Sequence, residues 1–253
     1  MANRAVGIDI GGTGIKGAVV DVDSGELLTD RIKKPTPEGG EPEAIAAVVK
    51  EVIDELKVTD ADLHVGVCFP AAIMDGKTLS AANVSKKWIG FEAEKLFEKT
   101  LGRPIHFVND ADAAGYAEGR YGAAKGVKGL VIMTTLGTGI GTALLNDGVL
   151  IVNAELGHLE IEGKDYETKA SFAAKERDDL SWKHWAKRLQ KYYSRLEALL
   201  YPRLIIVGGG VSKQYEEFLP LLDLRAEIVP AKLRNNAGIL GAAALASESK
   251  PAF

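Results

Sequence analysis

Gly12-Thr-Gly-Ile-Lys-Gly-Ala and Gly137-Thr-Gly-Ile-Gly-Thr-Ala repeat one pattern at an offset of 125 residues (137 − 12) in a chain of 253. Each copy follows an apolar run: Ala5-Val-Gly-Ile-Asp-Ile before the first, Gly129-Leu-Val-Ile-Met-Thr-Thr-Leu before the second. Each precedes another, Ala18-Val-Val-Asp-Val and Thr142-Ala-Leu-Leu, closed by Asp23-Ser-Gly and Asn146-Asp-Gly. Short β-branched runs bounded by Gly, Asn and Asp read as strands, and the Asn/Asp-Gly pairs read as turns. A repeat of strand, glycine turn, strand and turn means two related α/β halves, each offering one glycine hairpin to a cleft between them.

The hairpin reading excludes two commoner ones. Gly12-Thr-Gly-Ile-Lys-Gly satisfies G-x-G-x-x-G, but a dinucleotide loop must open a helix, and here a strand-like run follows. A Walker A loop needs four residues between its first glycine and Gly-Lys, and Lys16 is preceded by Ile15. What remains is a tight turn whose backbone N–H groups are open to a phosphate, because glycine puts no Cβ in the way. Gly11, Gly12, Thr13 and Gly14 in the first loop, and Gly137, Thr138 and Gly139 in the second, are the candidate phosphate contacts. Lys16 adds a positive charge for the transferred group.

The rest of the chain alternates in the same way. Helical patterns are expected over Glu43 to Leu56, Phe91 to Leu101 (ending at Gly102), Ala111 to Tyr121, Ser181 to Leu200 and Ile239 to Ala246. Strands are expected over Leu27 to Lys33, His64 to Phe69, Ile105 to Val108 and Leu204 to Val207, while 71–90 and 162–180 read as loop or irregular. Net charge is −4, so no global field draws the chain to nucleic acid or an acidic membrane. Its one cysteine, Cys68, can form no internal disulfide and reads as a buried strand residue. The opening Met1-Ala-Asn-Arg-Ala-Val carries no signal-peptide pattern and no apolar run approaches 18 residues, so a cytoplasmic location is expected.

Asn109-Asp-Ala-Asp sits where a strand ends and a helix begins, the position at which open α/β sheets place ligands. Asp110 is there either as an N-cap or as a positioned carboxylate. Asp112 has similar chemistry and is expected to serve the helix terminus. Glu155 and His158, three residues apart, would share one face of a helical turn. Together with Asp9-Ile-Gly-Gly-Thr and Leu136-Gly-Thr-Gly-Ile-Gly, these segments resemble the ROK family (repressor, open reading frame, kinase) over nearly the whole chain. Asp9-Ile-Gly-Gly-Thr-Gly-Ile-Lys, Ser80-Ala-Ala-Asn-Val-Ser-Lys-Lys-Trp and Glu167-Thr-Lys-Ala-Ser resemble its polyphosphate glucokinase and glucomannokinase branch.

The resemblance implies an α/β protein of the actin-like ATPase (ribonuclease H-like) fold, with two related domains flanking a cleft. Domains are expected at 1–108 plus 240–253 and at 109–239. It implies a kinase that moves a phosphoryl group from polyphosphate, with ATP as a further donor, to the 6-hydroxyl of glucose or mannose. Asp110 would be the general base, and such a carboxylate is worth roughly 10²- to 10⁴-fold. Asn83, Asn109, Glu155, His158 and Glu167 would hold the sugar, with Trp88 as a packing neighbour. Asp9 would hold Mg²⁺, in part through water. Gly208, Gly209 and Gly210 resemble the family's adenosine motif. Many members carry a cysteine-rich zinc motif after the E-x-G-H segment; Ile161-Glu-Gly-Lys-Asp-Tyr-Glu-Thr-Lys has no cysteine, so structural zinc is not expected. Members are commonly homodimers. Lys16, Lys86 and Lys87, and a row at Lys183, Lys187 and Lys191 with Arg188 and Arg195, are candidate contacts for a polyanionic donor.

Alternatives are an ATP-dependent hexose or N-acetylhexosamine kinase, a sugar-sensing repressor and a non-catalytic nucleotide-binding module. A repressor's N-terminal winged helix has no room before a strand that starts by Ala5. Asp110, Glu155 and His158 together favour catalysis over binding alone.

Overall fold

The computed structural model describes residues 3–58, 63–81 and 84–248. Along the chain run β1 (Arg4–Ile10), β2 (Gly14–Asp21), β3 (Glu26–Leu27), β4 (Ile32–Pro35), α1 (Pro42–Glu55), β5 (His64–Phe69), β6 (Ile73–Met74) and β7 (Lys77–Thr78). Then come α2 (Ala93–Leu101), β8 (His106–Asn109), α3 (Asp110–Tyr121), β9 (Leu130–Leu136), β10 (Ile140–Asn146), β11 (Val149–Ile151), β12 (Glu160–Ile161) and β13 (Lys164–Asp165). The chain closes with α4 (Glu167–Ala170), α5 (Phe172–Arg177), α6 (Trp182–Leu200), β14 (Leu204–Gly208), β15 (Glu227–Pro230) and α7 (Ala237–Glu248).

The chain forms two compact units, Met1–Ala117 with Asn236–Phe253, and Glu118–Asn235. The first holds a sheet of order β3-β2-β1-β5-β8, with β4 also on β2. Its first three strands are antiparallel, and β1, β5 and β8 run parallel. Both faces are covered, which is why residues 5–8 of β1 and 65–69 of β5 are buried without a break rather than alternating. One face, with Ile8, Ile10, Ile15, Val67 and Phe69, packs on α1 and α2 in a core that also buries Trp88. The other face receives α7 at backbone distance. A Cβ on Gly7 would lie 1.9 Å from the carbonyl oxygen of Ile239, and one on Gly66 1.9 Å from that of Ala242. The small residues of α7 thus serve close approach, and its Gly241 meets the Ala113 carbonyl of α3 in the same way.

The second unit repeats the topology: β11-β10-β9-β14-β15, with β9–β11 antiparallel and β9, β14 and β15 parallel. The β10–β11 turn uses Asp147 and Gly148, both at positive φ (52° and 82°), the pairing a two-residue hairpin needs. Helix α6 starts at Ser181, whose hydroxyl accepts the His184 N–H, and buries Trp185, Leu189, Tyr192, Tyr193 and Leu196 as core. No helix among the described residues is long and apolar enough to cross a membrane.

Three local expectations are corrected. Residues 162–180 contain α4 and α5, too short to show a helical period; Ser171 caps α5 by accepting the Ala174 N–H. The single strand expected over Leu27 to Lys33 is two short ones, β3 and β4, on the same neighbour, β2. The boundary expected at 108/109 is displaced into α3, so Asn109 and Asp110 belong to the first unit. The reason is covalent and local: β8 pairs with β5 in the first sheet and passes into α3 with no linker.

Candidate functional site

The expected site residues fall into two sets, one per unit. In the first, the β1–β2 register ends at Ile10 opposite Ile15, and the Gly11 N–H donates to the Gly14 carbonyl at 3.0 Å. This leaves Gly12 and Thr13 exposed at the tip. Behind the tip Asp9 and Lys16 are cross-strand partners, and Lys16 Nζ donates to Asp9 Oδ2 at 2.8 Å. The other carboxylate oxygen faces the Cys68 thiol at 3.8 Å, because β5 sets Cys68 beside Asp9 in parallel register. Burial pushes that thiol well up, reinforced by the carboxylates of Asp9 and Asp110, so Cys68 stays protonated and inert.

The cap of α3 is Asn109. Asn109 Oδ1 accepts the Asp112 N–H at 3.0 Å, and its amide donates to the Ala71 carbonyl at 2.9 Å. Asn109 is buried, with one N–H left for a ligand. Asp110 occupies the first helical position, partly exposed, with Oδ1 accepting the Ala111 N–H at 2.8 Å. The capping role that competed for Asp110 is therefore filled by its neighbour.

In the second unit the hairpin closes by a bond from the Gly137 N–H to the Gly139 carbonyl, at 3.0 Å. Its next residue, Ile140, joins the turn to the expected sugar residues. The Ile140 N–H donates to Glu167 Oε2 at 2.6 Å. The Ile140 carbonyl lies against Gly157, where a Cβ would come within 2.0 Å. Gly157 is the centre of the Glu155–His158 turn, a single 3₁₀ turn in which the His158 N–H donates to the Glu155 carbonyl. Residues i and i+3 eclipse in that geometry, so Glu155 and His158 share one exposed face.

Asp165 was missed by sequence reasoning. Its Oδ2 meets His158 Nδ1 at 2.8 Å and its Oδ1 accepts the Glu167 N–H at 3.1 Å, so one carboxylate orients two expected sugar contacts. The bond to Asp165 raises the His158 pKa above its usual 6.5, helped by Glu167 and Glu155. The only signal was an acid two residues before Glu167. The Gly208–Gly210 turn packs on the base of the same hairpin. Gly209 has φ 82° and a Cβ there would sit 2.2 Å from the Leu136 carbonyl, so both conformation and space demand glycine.

Other expectations resolve differently. Asn83 lies outside the described residues. Trp88 is fully buried, donating its indole N–H to the Gly40 carbonyl, and stacks among Phe69 and Phe97. Lys87 is paired with Glu41, Lys191 with Glu162 and Arg188 with Asp178, so these cations already have acids. No group of three acidic, histidine or cysteine side chains able to hold a metal occurs among the described residues. Mg²⁺ in phosphoryl transfer is held by one or two carboxylates plus substrate phosphates and water. The Asp9 carboxylate fits that donor set and not a free-standing cage.

Residues 5–171 match the model of the ROK family. The chain belongs to the ROK family. Polyphosphate glucokinase of Mycobacterium tuberculosis is 44% identical over 238 residues, spanning 94% of this chain and 89% of that protein. The crystal structure of inorganic polyphosphate/ATP-glucomannokinase from Arthrobacter sp. strain KM superposes with a TM-score of 0.90 at 54% identity, covering 94% of this chain and 96% of that one. A ROK family glucokinase from Streptomyces griseus, in complex with glucose and AMPPNP, gives a TM-score of 0.82 at 25% identity and covers 97% and 100%. The duplicated sheet of this ROK protein is the actin-like ATPase fold.

Proposed function

We propose that this ROK protein transfers the terminal phosphoryl group of inorganic polyphosphate to the 6-hydroxyl of glucose. The observation that carries the reading is the Ile140 junction, where one peptide unit ties the second glycine hairpin to Glu167 and to the Glu155–His158 turn. A residue that grips sugar and a loop that grips phosphate are thus held in register by backbone. The names of the Mycobacterium and Arthrobacter relatives support polyphosphate as donor and glucose as acceptor.

In this mechanism Asp110 accepts the proton of the sugar 6-hydroxyl as its oxygen bonds to the terminal phosphorus. The bridging P–O bond breaks, and its electron pair stays on the shortened polyphosphate. Phosphoryl transfer needs an oriented nucleophile and charge stabilisation more than covalent help. Asn109, fixed by its cap and its bond to Ala71, directs its remaining N–H at the sugar, while Glu155, His158 and Glu167 accept and donate to the other hydroxyls. In this reading the phosphate contacts are backbone N–H groups of the glycine hairpins, with Lys16. Asp9 would hold Mg²⁺, which when bound would supply neutralisation of the phosphate charge. ATP is a second donor: at Gly210 a Cβ would meet nothing within 4 Å, so the turn leaves its backbone open to a base or ribose. A cytoplasmic homodimer belongs to the same proposal, on family grounds.

The test is a phosphorylation assay crossing glucose, mannose and N-acetylmannosamine with polyphosphate and ATP, run on wild type and Asp110→Asn. Glucose with polyphosphate should give turnover, and the variant should lose at least about 100-fold in kcat while still binding glucose. Near-normal kcat in Asp110→Asn removes the base assignment; no transfer from polyphosphate removes the donor.

A further inference from the structure

We propose that Lys33 is a donor-specificity residue, a second cation at the first glycine hairpin that holds a polyphosphate chain beyond the phosphate being transferred. The inference rests on the transfer reaction proposed above. It starts from register: β1 pairs Asp9 with Lys16, and β4 pairs Lys33 with Lys16 and Lys34 with Ile15. Directly opposed residues in antiparallel strands share a face, so Asp9, Lys16 and Lys33 form a row across three strands. Lys34 points to the other face and pairs with Glu51 and Glu55 of α1.

Lys33 differs from the cations around it. Lys16 is neutralised by Asp9, whereas no ion pair engages Lys33 among the described residues. Its stem lies across the turn: Lys33 Cε is 3.1 Å from where a Cβ on Gly14 would sit. Asp9 already balances Lys16, so the row of Asp9, Lys16 and Lys33 carries one net positive charge, and it sits on Lys33. Arg31, just before β4, donates to Asn236 Oδ1 at 3.0 Å. A nucleotide becomes a neutral ribose and base after its third phosphate. Polyphosphate carries charge at every unit, so a cation on β4, one strand removed from the β1–β2 hairpin, continues to meet charge on the polymer where the nucleotide has none.

The experiment measures donor KM for long-chain polyphosphate and for Mg-ATP in wild type, Lys33→Ala and Lys33→Arg, with anisotropy of labelled polyphosphate in the absence of sugar. Lys33→Ala should raise polyphosphate KM about five- to tenfold with kcat within about twofold, leave ATP KM within about twofold, and weaken labelled-chain binding by the same factor as the KM. Lys33→Arg should restore both, and the melting temperature of Lys33→Ala should be unchanged, since no ion pair is lost. An unchanged polyphosphate KM, or equal effects on both donors, overturns the role. If wild type does not turn over polyphosphate, the reaction reading falls, and the anisotropy comparison still decides Lys33: equal binding by wild type and Lys33→Ala refutes it.

Discussion

Gly139→Ala tests the junction on which the site is built. A methyl group at 139 would lie 2.4 Å from Glu167 Oε2 and 2.8 Å from its Cδ, closer than atoms can approach. What yields is the end of a flexible side chain, so the hairpin survives and Glu167 swings away from the Ile140 N–H. A hydrogen bond to a charged acceptor is worth about 1.5–3 kcal/mol. The junction is only partly buried, so water can replace the acceptor and the low end applies. For a chain of this size a loss of about 1.5 kcal/mol lowers the melting temperature by 3–6 °C. If Glu167 also grips the sugar, glucose KM rises about tenfold, the equivalent of about 1.4 kcal/mol. Glu167→Ala should produce both effects, and the double variant should add little to either single, because each removes the same bond. Thermal melts and glucose titrations in a coupled assay for glucose 6-phosphate read both numbers. Gly139→Ala with wild-type melting and KM, or effects that add to those of Glu167→Ala, would refute the coupling.

Two further outcomes follow from the same geometry. His158 has a raised folded pKa, so its bond to Asp165 contributes stability fully present below the unfolded value of 6.5 and lost as pH rises through the folded value. The melting-temperature deficit of Asp165→Asn should therefore be largest below pH 6.5 and shrink above it; a deficit independent of pH would rule out that pair. Gly66→Ala sets a methyl 1.9 Å from the Ala242 carbonyl, backbone against backbone, so α7 must lift from the sheet. Urea denaturation should show a loss of about 3 kcal/mol or more, and a loss below about 1 kcal/mol would mean that α7 is not seated as described.

The duplication was legible because turn chemistry is local. Glycines at matched positions between apolar runs mean a hairpin wherever they occur, and two copies carried the architecture that the sheets display. Family membership followed from the same segments and from Glu155-Leu-Gly-His158. Helix α6 was readable from its apolar stripe, and Gly102 from the left-handed conformation that ends α2 at φ 67°. Helices α4 and α5 were not, since four and six residues cannot display a period.

The division of labour among neighbouring polar residues was decided only by the tertiary structure. In Asn109-Asp-Ala-Asp, three side chains could each have capped α3, and the choice depended on β8 ending at Asn109 beside the Ala71 carbonyl. Asp165, Glu167 and Gly157 acquire their meaning from one strand residue, Ile140, between 17 and 27 positions away in the chain. Lys33 and Lys34 are alike in sequence, yet pleating gives Lys34 an acidic helix and Lys33 the face of the first glycine hairpin. The sequence by itself determined the longer elements and the chemical inventory, because propensities and turn conformations depend on near neighbours. Which carboxylate, amide or lysine faces which partner depends on register and close approach, and those exist only once the strands are paired.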